Sequence, residues 1–244
     1  KFFINTKKIM NSITKKYVLV IGSKPFSKLP RIPVEKIYCA NGAAERCHEY
    51  VKIFNKTIIT SVVSESEFNK REEVRERVLK INPDNIFCRF GKINEKFFNS
   101  ENKIKKNIVN LSKLNQFFWQ SKFYNFGILT LLLSEFNYEE LLIKKIKHIY
   151  DCMRWRGFLC SSTGLFSILL AYFENPDAEI IVSGIGIKSG GETFYGTNKN
   201  RTFRSNVDKK LFFKLKKKIK DKLITTDEEM SEFCKVPLWK QDII

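Results

Sequence analysis

The chain has 244 residues, of which 43% are hydrophobic and 14% aromatic, and its 44 Lys and Arg against 26 Asp and Glu give a formal net charge of +18. This hydrophobic content excludes an intrinsically disordered chain, and the length suits one α/β domain, or such a domain with a small insert, that buries a sizeable core. The charge favours anionic partners such as nucleic acid, an acidic membrane surface, or phosphorylated and acidic glycans. An AT-rich genome, which enriches Lys and Asn on solvated helix faces, accounts for the same charge without any partner.

Six cysteines are scattered along the chain without a Cys-x-x-Cys pair or a Cys/His cluster. A structural zinc site is therefore not expected, and free thiols in a reducing compartment are the simpler interpretation. No run of about 18 apolar residues occurs, so no transmembrane helix is predicted. Residues 1–15 are expected to be a leader or a short basic arm. We expect a cytoplasmic protein, with peripheral contact at the inner face of the membrane as an option.

Four short apolar runs in the first third of the chain predict buried parallel strands. They are Lys16–Ser23, Lys36–Ala40, Thr57–Val63 and Asn85–Cys88. Gly22 and Ser23 end the first run, and Asn41 and Gly42 follow the second, at the strand ends where open α/β sheets bind ligands. A plain turn also accounts for the Asn-Gly pair. Ser64, followed by acidic residues, predicts the N-cap of a helix.

From about residue 92 to 150 the sequence becomes rich in Phe, Asn and Lys, and apolar residues recur every three or four positions from Phe123 to Leu133 and again from Leu141 to Ile149. This spacing predicts a helical insert or lid. We place it inside a single domain that spans residues 16–244. The aromatic residues of the segment are interpreted as core.

The central stretch of the sequence is a hydroxyl-rich turn that leads into an apolar helix. Ser161, Ser162 and Thr163 precede the predicted helix Leu165–Phe173, and the predicted strand Glu179–Val182 comes next. Hydroxyl groups at a helix N-terminus cap the helix or hold an anion there, because the first N–H groups are unpaired and partly positive. An ordinary capped helix packed on an ordinary strand is the alternative interpretation.

The last part of the chain continues the strand and helix alternation. A Gly-rich polar loop spans residues 186–200, and a basic amphipathic helix is predicted over 205–222. A short strand at 223–225 and a helix at 228–234, capped by Thr226 and Asp227, follow. The whole pattern predicts an α/β fold with a mostly parallel, Rossmann-like sheet covered by helices on both faces.

Four short motifs occur in chain order and carry a resemblance to a known family. They are Val20–Ser27, Cys39–Gly42, Ser162–Gly164 and Val182–Ile185. In this order the motifs resemble those of the bacterial sialyltransferase-type glycosyltransferases, which use CMP-activated sialic acid or related sugars such as Kdo. The resemblance covers residues 17–50 and 155–240, roughly half of the chain.

The resemblance implies a donor site built from the motif residues. The turn after the first strand and the Asn-Gly pair would hold the CMP part or the donor sugar. The Ser-Thr-Gly helix start would contact the donor carboxylate or the cytidine, the last motif would line the nucleotide, and Tyr195 would donate a hydrogen bond to the leaving phosphate. The implied donor-binding residues are Gly22, Ser23, Pro25, Ser27, Asn41, Gly42, Ser162, Thr163, Gly164, Gly184, Ile185 and Tyr195. Such enzymes are independent of metal ions as a class, so no cofactor beyond the CMP-sugar donor is implied.

One position departs from the family pattern, which has a histidine four residues before an aspartate. Here the corresponding residues are Arg204 and Asp208. An arginine stays charged and cannot act as a base near pH 7. Either a carboxylate such as Glu192 or Asp208 serves as base, or the chain is altered at this position, or the protein is no longer a transferase. Asp208 also fits the N-terminal charge of its own helix, while Arg201 and Arg204 suit a phosphate or an acidic acceptor.

The leading hypothesis is therefore an inverting transfer of an acidic sugar from its CMP donor to a saccharide or glycolipid acceptor in surface polysaccharide or lipopolysaccharide synthesis. A nucleotide- or glycan-binding module that has lost the chemistry is the alternative, and the missing histidine supports it. An RNA-binding protein ranks last, because the basic chain lacks an RNA-recognition motif.

Overall fold

A computed structural model describes residues 15–25, 27–54, 57–98, 107–124, 161–187, 192–193, 196–197 and 202–244. Its centre is a seven-stranded sheet in which every pairing is parallel. The strands are β1 Tyr17–Ile21, β2 Lys36–Ala40, β3 Ile58–Ser64, β4 Asn85–Arg89, β5 Asn107–Leu111, β6 Glu179–Ser183 and β9 Leu223–Thr225, and their order across the sheet is β5-β4-β3-β2-β1-β6-β9. The two-residue strands β7 Glu192–Thr193 and β8 Gly196–Thr197 form a separate antiparallel pair. The predicted α/β class with a parallel sheet is confirmed.

Seven α-helices are described. They are α1 Ala44–Ile53, α2 Glu65–Lys70, α3 Glu72–Lys80, α4 Lys113–Tyr124, α5 Thr163–Glu174, α6 Thr202–Ile219 and α7 Glu228–Cys234. Short 3-10 turns lie at Asn41–Ala43, Glu95–Phe97 and Lys220–Lys222.

Alternation along β1 places apolar side chains on both faces of the sheet, which is why the strand is apolar throughout. Val18 and Val20 pack in one buried cluster with residues of α5, including Leu165 and Phe166. Leu19 and Ile21 belong to a second cluster, which contains the α1 residues Cys47 and Tyr50. The sheet is therefore covered by α5 and α6 on one face and by α1 and α3 on the other.

Local sequence signals fix several helix starts. The predicted cap at Ser64 is confirmed, because its hydroxyl accepts a hydrogen bond from the Glu67 N–H at 3.3 Å. Helix α5 begins at Thr163, two residues before the predicted start. Helix α6 begins at Thr202, three residues before the predicted start, and Leu211 and Leu215 lie on its buried face as the amphipathic pattern indicates.

The prediction of a helical segment over 92–150 is wrong at residues 107–111. These residues form β5, which pairs in parallel with β4 and places Asn107 opposite Asn85. The strand lies at the edge of the sheet and is mostly exposed, so its sequence lacks the apolar run that marks a buried strand. Helix α4 follows it, while residues 125–150 and the expected leader lie outside the described residues, apart from Lys15.

A C-terminal segment closes the edge of the sheet. The Trp239 N–H donates to the Thr225 carbonyl at 2.7 Å, and the indole packs edge-on against Tyr17 with ring centres 5.6 Å apart. Further on, Leu29 and Ile244 exchange two backbone hydrogen bonds of 3.2 and 2.7 Å. This segment therefore holds the loop that follows β1.

The described cysteines Cys39, Cys47, Cys88 and Cys234 are free thiols in the interior. Burial raises the pKa of Cys88 to about 12 and that of Cys234 to about 11, so neither supplies a thiolate near neutral pH. Among the described residues, no helix has both the length and the apolar character needed to cross a membrane.

Candidate functional site

The turns after β1 and β6 meet at the carboxyl ends of the sheet, where the strand order reverses. From β1 the chain proceeds to β2 on one side, whereas β6 lies on the other side of β1. The Gly22 N–H donates to the Ser183 carbonyl at 2.7 Å, and the Lys24 N–H donates to the Gly184 carbonyl at 3.0 Å. Ligands of open α/β sheets bind in the crevice at such a switch point. The first and last sequence motifs therefore lie side by side at this crevice.

Close packing of the two turns explains both of their glycines. A Cβ on Gly22 would lie 2.1 Å from the Gly184 carbonyl oxygen, so no side chain fits there. Gly184 has a φ of +72°, and a Cβ on it would lie 2.9 Å from the Ser27 hydroxyl. Ser27 is buried, and its hydroxyl has no hydrogen-bond partner among the described residues. Both glycines therefore serve the junction itself, whether or not a ligand approaches it.

Asp227 stabilises the β6 turn from the neighbouring strand end. It occupies the N-cap position of α7, as predicted, but its side chain makes no capping hydrogen bond. Its carboxylate instead accepts from the Gly184 N–H at 2.7 Å. Burial raises the pKa of Asp227, while the hydrogen bond from Gly184 and the charge of Lys24 act in the opposite direction. The Gly184 N–H is thus engaged by an internal carboxylate rather than directed at a ligand.

The Asn-Gly turn lies at the adjacent strand end. Asn41 adopts a left-handed conformation with a φ of 49°, which asparagine tolerates better than most residues. Its side-chain oxygen accepts from the Ser64 N–H at 3.4 Å and so joins the ends of β2 and β3. Gly42 is buried in the 3-10 turn, while Ser23 and Pro25 are half-buried in the turn after β1.

The N-terminus of α5 is held by side chains from two other helices and one strand. Ser162 caps the helix, as predicted, because its hydroxyl accepts from the Leu165 N–H at 3.3 Å. The Ser162 N–H itself donates to the Asp208 carboxylate at 2.8 Å. Gly164 faces the side chain of Ile185, to which an added Cβ would lie at 3.4 Å. This contact brings the helix start against the β6 turn.

Asp208 does not lie where the alternative interpretation placed it. Because α6 begins at Thr202, Asp208 falls in its second turn rather than its first, so the expectation that it is the N-terminal charge of its own helix is wrong. Asp208 is 8% exposed, and its carboxylate lies at the positive end of α5 instead.

Arg89 is the main residue that the sequence analysis missed. It ends β4, is completely buried, and donates to the Thr163 hydroxyl at 2.9 Å and to the Ser161 carbonyl at 2.6 Å. Its Nε donates to the Gln116 side chain at 3.1 Å, and its guanidinium lies 4.7 Å from the centre of the Phe166 ring. An arginine directly after the predicted strand Asn85–Cys88 is the only signal in the sequence.

The hydroxyl of Ser161 is also part of this internal network. Gln120 donates to that hydroxyl at 2.5 Å, and both side chains are buried. The Ser161 N–H donates to the Gln120 side chain at 3.4 Å. The hydroxyl groups of Ser161, Ser162 and Thr163 thus hold the helix start in place, whereas the N–H groups of Thr163 and Gly164 have no partner among the described residues.

The remaining predicted site residues are only partly located. Tyr195 and Arg201 lie outside the described residues. Glu192 belongs to β7 and Arg204 to the first turn of α6, and only their backbone is described. Within the described ranges, no group of three or more His, Cys, Asp or Glu residues could hold a metal ion.

No protein-family model matches this chain, and no curated protein or solved structure matches it either. The functional assignment therefore depends on the chain's own residues and their arrangement.

Proposed function

We propose that the protein is a glycosyltransferase that moves a sialic acid- or Kdo-type sugar from its CMP donor to a saccharide or glycolipid acceptor in surface glycan synthesis. The observation that carries the proposal is the meeting of the Gly22 and Gly184 turns at the switch point of a parallel sheet. Open α/β sheets bind nucleotides in this crevice. The motifs that resemble a CMP-sugar site thus fall where the fold favours a nucleotide.

The start of α5 is the part of the crevice best suited to the donor's negative charges. The N–H groups of Thr163 and Gly164 point from a helix N-terminus, which carries a partial positive charge. Directly behind them, the buried guanidinium of Arg89 adds a full positive charge in a region of low dielectric. The Asp208 carboxylate at the same helix end offsets part of this positive charge. The N–H groups of Thr163 and Gly164 are therefore the donors proposed for a phosphate and a carboxylate, the two anionic groups of a CMP-activated sialic acid.

Transfer to a hydroxyl also requires a base and a stabilised leaving phosphate. Glu192 and Asp208 are the candidate bases, because Arg204 stands where the family pattern has histidine. The Asp208 carboxylate already accepts from the Ser162 N–H at 2.8 Å and so holds the start of α5. Glu192 is therefore the preferred candidate, and Asp208 is assigned to positioning the α5 start.

Calorimetric titration with CMP, with UMP and AMP alongside, tests the donor site. We expect selective binding of CMP. The sharpest variant is Asn41→Asp, since aspartate tolerates the left-handed backbone and still accepts from the Ser64 N–H, but places a negative charge at the strand end. We expect about a tenfold loss of CMP affinity, in line with one unfavourable charge interaction of about 1.4 kcal/mol.

Asn94→Asp is the matched control. Asn94 also accepts from a backbone N–H, that of Lys96 at 3.2 Å, but it is exposed in the loop after β4. CMP affinity should be unchanged by this substitution. Absence of CMP binding, or equal binding of all three nucleotides, contradicts the proposal.

A second measurement separates the enzyme from a binding module. The presence of Arg204 at the position of the family histidine favours a module that binds the nucleotide without turnover. Release of CMP from CMP-sialic acid and from CMP-Kdo, with water as acceptor, reports turnover without knowledge of the natural acceptor. Selective CMP binding with no release above that of buffer favours the module over the transferase.

A further inference from the structure

Helix α6 has an exposed outer face, opposite the residues that pack into the core. Its inner face packs into the core through residues that include Leu211, Phe212 and Leu215. Opposite them, Lys210, Phe213, Lys214 and Lys217 recur every three or four positions and are all exposed. These four residues are called the basic face. No Asp or Glu occurs between Asp208 and Asp221, so every charged residue of the helix in this stretch is a lysine.

Three other lysines of the same region donate to backbone carbonyl groups of neighbouring elements. Lys216 donates to the Cys234 carbonyl at 2.7 Å, and Lys218 and Lys222 donate to the carbonyls of Phe123 and Pro176. These three side chains connect α6 and the following turn to neighbouring elements. The lysines of the basic face project outwards from the exposed side of the helix.

Phe213 is the apolar centre of the basic face. It is 44% exposed, although its ring contacts Phe212 and Phe233 with ring centres 6.2 and 6.3 Å apart. A large aromatic side chain held half in water gains free energy when a partner removes that surface from water. The partner must also accept several positive charges around the ring.

We propose that the basic face docks α6 on an anionic lipid bilayer, with the Phe213 ring entering the headgroup region. Lysines beside an exposed aromatic residue are the composition of helices that lie in a membrane interface, because long lysine chains keep their charge in water while apolar parts are buried. The face has lysines rather than arginines, which suits diffuse attraction to a charged surface more than bidentate recognition of individual phosphates.

Cosedimentation with vesicles tests this surface. The probes are vesicles of phosphatidylcholine alone and vesicles that also contain about 30 mol% phosphatidylglycerol, an anionic content high enough to attract basic segments. We expect binding to the anionic vesicles alone, weakening as salt is raised. Combined Lys210→Gln, Lys214→Gln and Lys217→Gln should lower the partition coefficient about 100-fold, since each lysine near such a surface contributes about fivefold. Phe213→Ala should lower it about tenfold through lost apolar burial.

A matched triple variant controls for the general loss of positive charge. Lys52, Lys70 and Lys80 are exposed on α1, α2 and α3, away from the face of the sheet that α6 covers. Their combined change to Gln removes the same net charge and should leave most vesicle binding intact. Circular dichroism verifies that every variant is folded.

Three outcomes would overturn the proposal: no binding to anionic vesicles, equal binding to both vesicle types, or an equal loss in the control triple variant. Binding of a mixed-sequence RNA without vesicle binding would also overturn it, in favour of a polyanion site. The vesicle assay contains no nucleotide, so its result is independent of the CMP titration.

Discussion

The two halves of the candidate site are built in different ways. At the β1–β6 junction, main-chain groups meet directly, and Gly22 and Gly184 allow the contact because neither has a side chain. At the start of α5, side chains form the structure, and the buried guanidinium of Arg89 joins three elements through charged hydrogen bonds. The first half depends on the absence of side chains at two glycines, and the second depends on hydrogen bonds to buried polar groups.

This difference predicts how each half fails. A main-chain junction tolerates changes of charge but no added atoms. A buried polar network tolerates small changes of shape but not the loss of a donor, because every acceptor then remains unpaired in the interior. Substitutions in the two halves can therefore separate the two kinds of stabilisation.

The largest effect is expected at the polar half. Arg89→Ala removes a buried cation and leaves the oxygens of Ser161, Thr163 and Gln116 without their donor, so we expect a loss of about 3–5 kcal/mol in the free energy of unfolding. Urea unfolding measures this change. Arg71→Ala is the control, since Arg71 forms a partly exposed pair with Glu67 at 3.1 Å and should contribute less than about 1 kcal/mol. Equal losses in the two variants would show that Arg89 does not organise the polar half.

A smaller loss is expected at the main-chain half. Gly22→Ala places a methyl group 2.1 Å from a carbonyl oxygen and should lower the free energy of unfolding by about 3 kcal/mol, because the two turns must separate. Gly164→Ala is the companion variant, since its methyl group would meet the Ile185 side chain at an ordinary contact distance of 3.4 Å. Alanine in the first turn of α5 should change stability by less than about 1 kcal/mol. Thermal unfolding of both variants makes the comparison, and a tolerated Gly22→Ala would refute the tight junction.

The smallest effect is a change in pH dependence at Asp227. Burial raises its pKa above the usual value of 3.8, so the folded state favours the neutral acid. That contribution to stability is fully present below the usual pKa and is lost as the pH rises through the raised value. Asp227→Asn removes this titration but retains an oxygen that can accept from the Gly184 N–H. Relative to the variant, the wild-type protein should gain stability as the pH falls through this range, and urea midpoints at several pH values measure it. Parallel pH profiles would contradict the prediction.

How much of the fold can be predicted from the sequence depends on how far apart along the chain the residues that give each signal lie. The strands β1, β2, β3, β4, β6 and β9 are visible as apolar runs, because a strand buried on both faces needs them. Caps such as Ser64 and Ser162 are visible because donor and acceptor are three residues apart. The edge strand β5 is not visible in the sequence, since its exposed residues form no apolar run.

Side-chain contacts across the sheet could not be predicted in the same way. Arg89 and Thr163 are 74 residues apart, Ser162 and Asp208 are 46 apart, and Gly184 and Asp227 are 43 apart. Nothing within a local window indicates such pairs, and polar residues usually lie at the surface. The motifs therefore indicated strand ends that meet at the carboxyl edge of the sheet, while the residues that support this junction appeared only in the fold.

The loop after β1 has one consequence for how the protein is made. Lys24 and Lys28 pair with Glu229 and Glu228 across 205 and 200 residues of sequence, and the Thr226 hydroxyl donates to the Lys28 carbonyl at 2.7 Å. During synthesis, β1 leaves the ribosome long before these partners exist. The motif-bearing loop is therefore translated 200 to 205 residues before these partners and acquires its native contacts only after them, so a nascent chain halted before α7 should have the strands of the sheet but not a finished crevice.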